Sequence, residues 1–133
     1  MQLARKALAA LLWLYLLGVV VQFLLAGLGL PQLGDQGMGG HEALGYAGLH
    51  FTPVLFLVIG VIARLSVITL VALLVFAVLA VLQPFWATEF QGEALASLHV
   101  LGALVLLGMA HALARMVTRQ AREEGAPARS ESA

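Results

Sequence analysis

The chain has 133 residues, of which 62% are hydrophobic and only 11% are charged, and its formal net charge is zero. Soluble domains carry about 25% charged residues on a surface that is large for a chain of this size, so this composition indicates a protein of the lipid bilayer. Zero net charge argues against a nucleic-acid partner. The lack of cysteine in the sequence excludes disulfides, thiolate metal sites and cysteine nucleophiles.

Four apolar stretches are long enough to cross a bilayer, which requires about 20 residues per helix. The first is too long for the core of a signal peptide, and it is followed by Pro31 and a glycine-rich polar loop. Arg64 divides the long apolar tract from Ala43 to Leu82, which we therefore interpret as two spans joined by a tight turn, with Ser66 as a candidate helix cap. The predicted spans are residues 7–30, 41–63, 66–87 and 93–117.

These spans predict an all-α fold, an integral membrane up-down four-helix bundle over residues 1–118. Residues 119–133 are charged and contain serine, proline and glycine, a composition typical of a disordered tail. Pro53 cannot donate to the Leu49 carbonyl, so a kink is expected beside His50.

The charges are distributed unequally between the two ends of this bundle. In a four-span arrangement all basic residues fall on one side and the loop acids fall on the other, so the positive-inside rule predicts that both termini lie in the cytoplasm. Arginine-rich basic usage suggests a bacterial source, and the expected location is the cytoplasmic (inner) membrane. The basic residues are Arg5, Lys6, Arg64, Arg115, Arg119, Arg122 and Arg129, and the acids are Asp35, Glu42, Glu89 and Glu93.

Two halves of the chain resemble each other. "EALGYAGLH", which ends at His50, corresponds to "EALASLH", which ends at His99, and each follows a span that carries one glutamine near its outer end, Gln22 or Gln83. This pattern suggests a tandem repeat of two helical hairpins related by a twofold axis along the membrane normal.

One polar side chain from each span is expected at the same level in the outer half of the membrane. At about 1.5 Å per residue, each lies roughly 9–13 Å below the outer end of its helix. His41 would then lie at the rim, on nearly the opposite face of the helix from His50. The four side chains at the common level are Gln22, His50, Gln83 and His99.

Three stretches, Gln22 to Leu30, His41 to Tyr46 and Leu98 to Ala103, together with Gln83, resemble a family of small bacterial four-span integral membrane proteins of unassigned biochemical function. The resemblance covers nearly the whole chain up to Arg119. The chain also resembles four-helix haem-b membrane cytochromes, but more weakly.

The resemblance implies that His41 is the partner of His99, whereas the depth count favours His50, and the sequence leaves both alternatives open. One departure concerns the fourth span, where the family usually has a Pro-Val-Asn-like run after the histidine and this chain has Val100, Leu101 and Gly102. This chain therefore lacks the polar side chain of that run, together with any role that the side chain has in the family.

The sequence favours a small accessory or scaffold membrane protein, in which the glutamines and histidines hydrogen-bond to one another and fix helix register. It contains no nucleophile–base pair or phosphate-binding loop, so an enzyme is not indicated. The expected partners are the lipid bilayer and another membrane protein. His111, near Arg115, is expected to be an interfacial side chain without chemistry.

A haem-b electron-transfer protein is the alternative, with His99 and His50 or His41 as iron ligands, Gln22 and Gln83 beside the cofactor, and quinone as a redox partner. Small residues, Gly45, Gly48 and Gly102, would leave room for the macrocycle, although haem propionates favour basic partners and the outer half has none. A second alternative is transport of a small solute or proton by an oligomer, which the lack of acidic residues deep in the spans disfavours.

Overall fold

A computed structural model of the chain describes residues 1–28, 38–88 and 93–123. These residues form helices and contain no strand, so the all-α prediction is confirmed. Asp35, Glu89 and Arg129, named above for their charge, lie outside the described residues. The elements are α1 Gln2–Leu28, α2 Met38–Ala43, a π-helical segment Leu44–Leu49, α3 Thr52–Ile62, α4 Val67–Thr88 and α5 Glu93–Glu123.

Four helical stretches of the described chain are long and apolar enough to cross a membrane: Gln2–Leu28, Gly39–Ile62, Val67–Trp86 and Ser97–Glu123. The second stretch combines α2, the π-helical segment and α3. Helix α5 continues to Glu123, past the predicted end of the bundle at residue 118, and residues 124–133 of the predicted tail lie outside the described residues. Many large apolar side chains point outward, as expected for helices with lipid as their solvent.

The four stretches form a closed ring. Helix α1 packs against α5 and against the second stretch, and α4 packs against α3 and α5. Each helix therefore contacts its neighbours in the chain, and the first contacts the last. At the centre, the Tyr15 ring meets the Phe56 and Phe76 rings edge-on, with ring centroids 5.5 and 5.3 Å away. This aromatic cluster joins α1, α3 and α4.

A tight turn joins α3 to α4 at the basic end of the bundle. Arg64 has a φ of 51°, a left-handed conformation that lets the Leu65 amide donate to the Gly60 carbonyl at 3.1 Å and close the end of α3. Arg5 donates to the carbonyls of Ala63 and Arg64 at 3.1 and 3.0 Å. The start of α1 and this turn therefore lie at the same end.

The N-terminus of α4 is capped as predicted. The Ser66 hydroxyl oxygen accepts from the Thr69 amide at 3.4 Å, the capping bond that satisfies an otherwise unpaired helix amide. The Thr69 side chain is fully buried, and its hydroxyl oxygen accepts from Gln120 Nε2 at 2.8 Å. This bond ties the start of α4 to the end of α5.

The second stretch is interrupted, as Pro53 predicts. The His50 amide donates to the Gly45 carbonyl at 2.9 Å, a bond across five residues that belongs to a π-helix. The helix then breaks, and α3 begins at Thr52, whose hydroxyl donates to the Gly48 carbonyl at 2.5 Å. Because a π turn contains an extra residue, the faces before and after it are rotated relative to a continuous α-helix.

Candidate functional site

The first part of the site joins α1 to α2. His41 Nδ1 lies 3.2 Å from the Gln22 backbone carbonyl oxygen. A carbonyl can only accept a hydrogen bond, so this contact assigns the proton to Nδ1 and leaves a lone pair on Nε2. The His41 ring is therefore held in one tautomer by the helix in front of it.

The second part joins α4 to α5 in the same way. His99 Nδ1 lies 3.1 Å from the Gln83 backbone carbonyl oxygen, which again places the proton on Nδ1. In addition, Gln83 Nε2 donates to the His99 carbonyl at 2.6 Å. This pair is thus bonded in both directions. We call His41 with Gln22 the first couplet, and His99 with Gln83 the second couplet.

The two couplets meet inside the bundle. The His41 and His99 ring centroids are 6.2 Å apart and the ring planes are inclined by 71°. Both rings are half-buried. The structure therefore brings together two imidazoles with the same tautomer, one from each hairpin.

The amide oxygens of both glutamines are buried, and neither Gln22 Oε1 nor Gln83 Oε1 has a hydrogen-bond partner among the described residues. A buried acceptor without a donor costs about 1–3 kcal/mol. Such groups are rare in folded proteins. Two of them beside two imidazoles distinguish this part of the bundle from its apolar centre.

Glycines make room for the amides. A Cβ added at Gly45 would lie 2.9 Å from Gln22 Nε2, and one added at Gly102 would lie 2.6 Å from Gln83 Oε1 and 2.8 Å from Trp86. The space that Gly45 and Gly102 were expected to leave for a macrocycle is thus taken by neighbouring side chains. Leu44 fills the space beside Gly48, at 3.0 Å from an added Cβ.

His50 has a different environment from the one that the depth count predicted. Its Nδ1 lies 3.2 Å from the Ala80 carbonyl, and its ring packs on Tyr46 and Phe51. Ala80 is four residues before Pro84, which lies inside α4 and cannot donate the usual helix bond to that carbonyl. His50 therefore donates the missing hydrogen bond from the neighbouring stretch.

The depth count favoured His50 because it took His41 as the outer end of the second helix. Helix α2 already begins at Met38, and the His41 ring contacts the His99 ring. The π-helical segment adds a rotation that α-helical spacing does not include.

The spacing from the glutamines, rather than the Glu-Ala-Leu motif, identifies the matching histidines. His41 follows Gln22 by 19 residues, and His99 follows Gln83 by 16. A glycine follows each histidine within one turn, at Gly45 and Gly102. Alignment on Glu-Ala-Leu instead matched His50 with His99, which lie in different surroundings.

Among the described residues, no group of three or more histidine, aspartate or glutamate side chains could hold a metal ion. The arrangement therefore has the two facing imidazoles and the two amides as its polar groups. Neither a protein-family model, nor a curated protein, nor a solved structure matches the chain.

Proposed function

We propose that the protein is an integral membrane haem-b protein that transfers electrons, in which His41 and His99 would hold the iron. The observation that carries the proposal is the contact between these two imidazoles across the bundle. Haem held by two histidines supplies one-electron transfer, and quinone is a suitable membrane-soluble redox partner.

The separation of the rings is compatible with one metal ion held by both. Their centroids are 6.2 Å apart, and metal–nitrogen bonds of about 2.0–2.1 Å would place two imidazoles that bind one ion at about this distance.

The hydrogen bonds of the couplets support the same role. Histidines that bind metals usually donate their other ring N–H to a carbonyl or carboxylate, which fixes the tautomer and the ring orientation. The Gln22 and Gln83 carbonyls accept from Nδ1 in both couplets, so Nε2 of each ring is the atom available to a metal. His50 Nδ1 donates in the same way to the Ala80 carbonyl, but the described ring contacts of His50 are with Tyr46 and Phe51, whereas His41 contacts His99.

A macrocycle between these rings requires some side chains to move. The amides of Gln22 and Gln83 and the Trp86 ring lie against Gly45 and Gly102, and they must turn away to admit a planar group. Turning the amides breaks no hydrogen bond of the two oxygens, which have no donor among the described residues, but turning Gln83 gives up the donation of its Nε2 to the His99 carbonyl.

Visible spectroscopy tests the proposal directly. After expression with haem supply and purification in detergent, the reduced-minus-oxidised spectrum should show a sharp α-band, which His41→Ala and His99→Ala should abolish. His111→Ala is the matched control, because His111 lies twelve residues beyond His99 on α5, about 18 Å along the helix, and it should retain the band. A colourless wild-type preparation, or an α-band that survives in both site variants, would refute haem binding.

A second candidate function is an accessory or scaffold subunit, supported by the hydrogen bonds of the couplets themselves. Each His ring joins two helices through a backbone carbonyl, and such bonds, worth about 0.6 kcal/mol on average in membranes, specify helix register without a cofactor. Crosslinking in native membranes should then recover a stable partner protein. Recovery of the free protein alone would count against this role.

We also infer that the chain is a bacterial inner-membrane protein with both termini in the cytoplasm. Arg5, through its bonds to the turn at Ala63 and Arg64, lies at the same end as that turn, and the positive-inside rule assigns a basic end to the cytoplasm. A reporter that works only in the cytoplasm should be active when it is fused to either terminus, and alkaline phosphatase should be inactive there. An alkaline phosphatase fusion active at either end would reverse the orientation.

A further inference from the structure

A groove of about 650 Å³ lies at the basic end of the bundle, between α1 and α5. It is distinct from the histidine couplets at the other end of α5. We propose that this groove binds the phosphate of an anionic glycerophospholipid headgroup. The residues that carry this proposal are Trp13, His111, Arg115, Arg119 and Arg122.

Positive charge dominates the groove. Arg115, Arg119 and Arg122 are spaced by four and three residues, so they share one face of α5. Arg119 Nε lies 3.5 Å from Glu123 Oε1, with both side chains largely exposed. Three guanidinium groups against this one described carboxylate leave a net charge of two (three minus one). A guanidinium binds phosphate with two parallel hydrogen bonds, which makes this the matching anion.

Arg115 lies in a position that calls for an anionic partner. It is exposed, while its neighbours Ala114 and Val117 are fully buried in the bundle core. It also lies about 6 Å further along the helix toward the bundle than Arg119, at 1.5 Å per residue. A charge inside an apolar membrane-length helix is costly unless it is paired. A lipid phosphate at the interface is the anion that reaches it from outside.

A fixed aromatic wall faces these arginines. Trp13 Nε1 donates to the Thr118 hydroxyl oxygen at 3.2 Å, and Thr118 donates onward to the Ala114 carbonyl at 2.6 Å. The His111 ring packs edge-on against Trp13, with centroids 5.9 Å apart. Tryptophan is typical of the headgroup level of membranes. The wall is thus fixed against α5 beside the arginines.

The size of the groove favours a lipid over free phosphate. Inorganic phosphate occupies the volume of a few water molecules, each about 30 Å³, and would leave most of 650 Å³ unfilled. A glycerophosphate headgroup with the start of its acyl chains fills a larger part, with the apolar surfaces of Trp13 and Met116 beside the chains. Basic pockets at the cytoplasmic ends of membrane helices bind anionic headgroups in this way.

Native mass spectrometry of the full chain tests the proposal. The protein is released from detergent after incubation with phosphatidylglycerol or phosphatidylcholine at equal concentration. We expect phosphatidylglycerol to be retained at least several-fold more than phosphatidylcholine, and the double variant Arg115→Gln/Arg119→Gln to lose this preference. Lys6→Gln, which removes an exposed charge of α1, is the matched control and should keep it.

Equal retention of the two lipids, or an unchanged preference in the double variant, would overturn the proposal. If the double variant does not fold, as judged by thermal unfolding, Arg122→Gln replaces it, and a reduced preference is again expected. Inorganic phosphate provides the remaining arm. If millimolar phosphate raises the melting temperature as much as phosphatidylglycerol does, the site binds a small anion and the lipid assignment is wrong.

Discussion

The first and second couplets contain the same residue types, but their helices differ. In the second couplet, His99 and Gln83 bond in both directions between α4 and α5, which remain α-helical on both sides of these residues although Pro84 lies inside α4. In the first, His41 bonds to the Gln22 carbonyl from a short α2 that passes into a π-helical segment. The comparison teaches that one polar arrangement can be presented by a continuous helix and by a broken one.

The break in the first hairpin also provides a hydrogen-bond donor to the second hairpin. His50 follows the π-helical segment, and it donates to the Ala80 carbonyl that Pro84 leaves without its usual donor. An irregularity in one helix is thereby compensated by an irregularity in its neighbour. Both hairpins contain a histidine–glutamine couplet. The break beside Pro53 in the first hairpin places a donor at the carbonyl that Pro84 leaves unpaired within the second.

Gly102→Ala should have the largest effect on stability. Its comparison with Gly45→Ala measures how the packing of the two couplets differs. A Cβ added at Gly102 would come within 2.6 Å of Gln83 Oε1 and 2.8 Å of Trp86, and overpacking of this kind typically costs about 1–3 kcal/mol. Gly45→Ala meets one flexible amide at 2.9 Å and should cost less. Thermal unfolding in detergent measures the order.

Gly108→Ala is the matched control for both changes, because nothing lies within 4 Å of an added Cβ there. It should unfold at or above the wild-type temperature. A Gly102→Ala protein as stable as Gly108→Ala would show that the second couplet is loosely packed.

His50→Leu tests the link between the hairpins. Removal of the ring leaves the Ala80 carbonyl without the described donor, at a cost of about 1–3 kcal/mol for a buried acceptor. Pro84→Ala restores a backbone N–H four residues after Ala80. The double variant His50→Leu/Pro84→Ala should therefore regain part of the lost stability in a double-mutant cycle.

Additive effects in that cycle would mean that His50 acts through packing on Tyr46 and Phe51 rather than through the carbonyl. His50→Leu should also keep the haem α-band in either case, since the ring is outside the proposed ligand pair. Loss of the α-band in His50→Leu would mean that His50 belongs to the haem site.

The smallest expected effect is the difference in stability between the Gln83→Leu and Gln22→Leu variants. Gln83→Leu removes the donation to the His99 carbonyl, which is worth about 0.5–1.5 kcal/mol. Gln22→Leu removes an amide whose oxygen has no described partner, so it should be neutral or slightly stabilising. Chemical denaturation of the two purified proteins compares them, and equal losses would mean that the couplets are energetically alike.

Several particular residues show how far sequence reasoning extends. The caps and breaks were predictable, because Ser66 and Pro53 act on the backbone within four residues of themselves. The four polar side chains at the common level were predictable only in part. The depth count selected His50, and the structure instead brings His41 to His99, since an α-helical rise and period do not include a π turn.

The sequence by itself determined the helical class, the number of long apolar stretches, the turn at Arg64 and the segregation of basic residues, because each follows from hydrophobicity, helix-breaking residues or charge counted along the chain. Only the tertiary structure decided which histidines meet, which carbonyl each ring bonds, and that Trp13 and three arginines line one groove. Those outcomes depend on the rotation and level of one helix relative to another, which is set by packing between residues far apart in the chain.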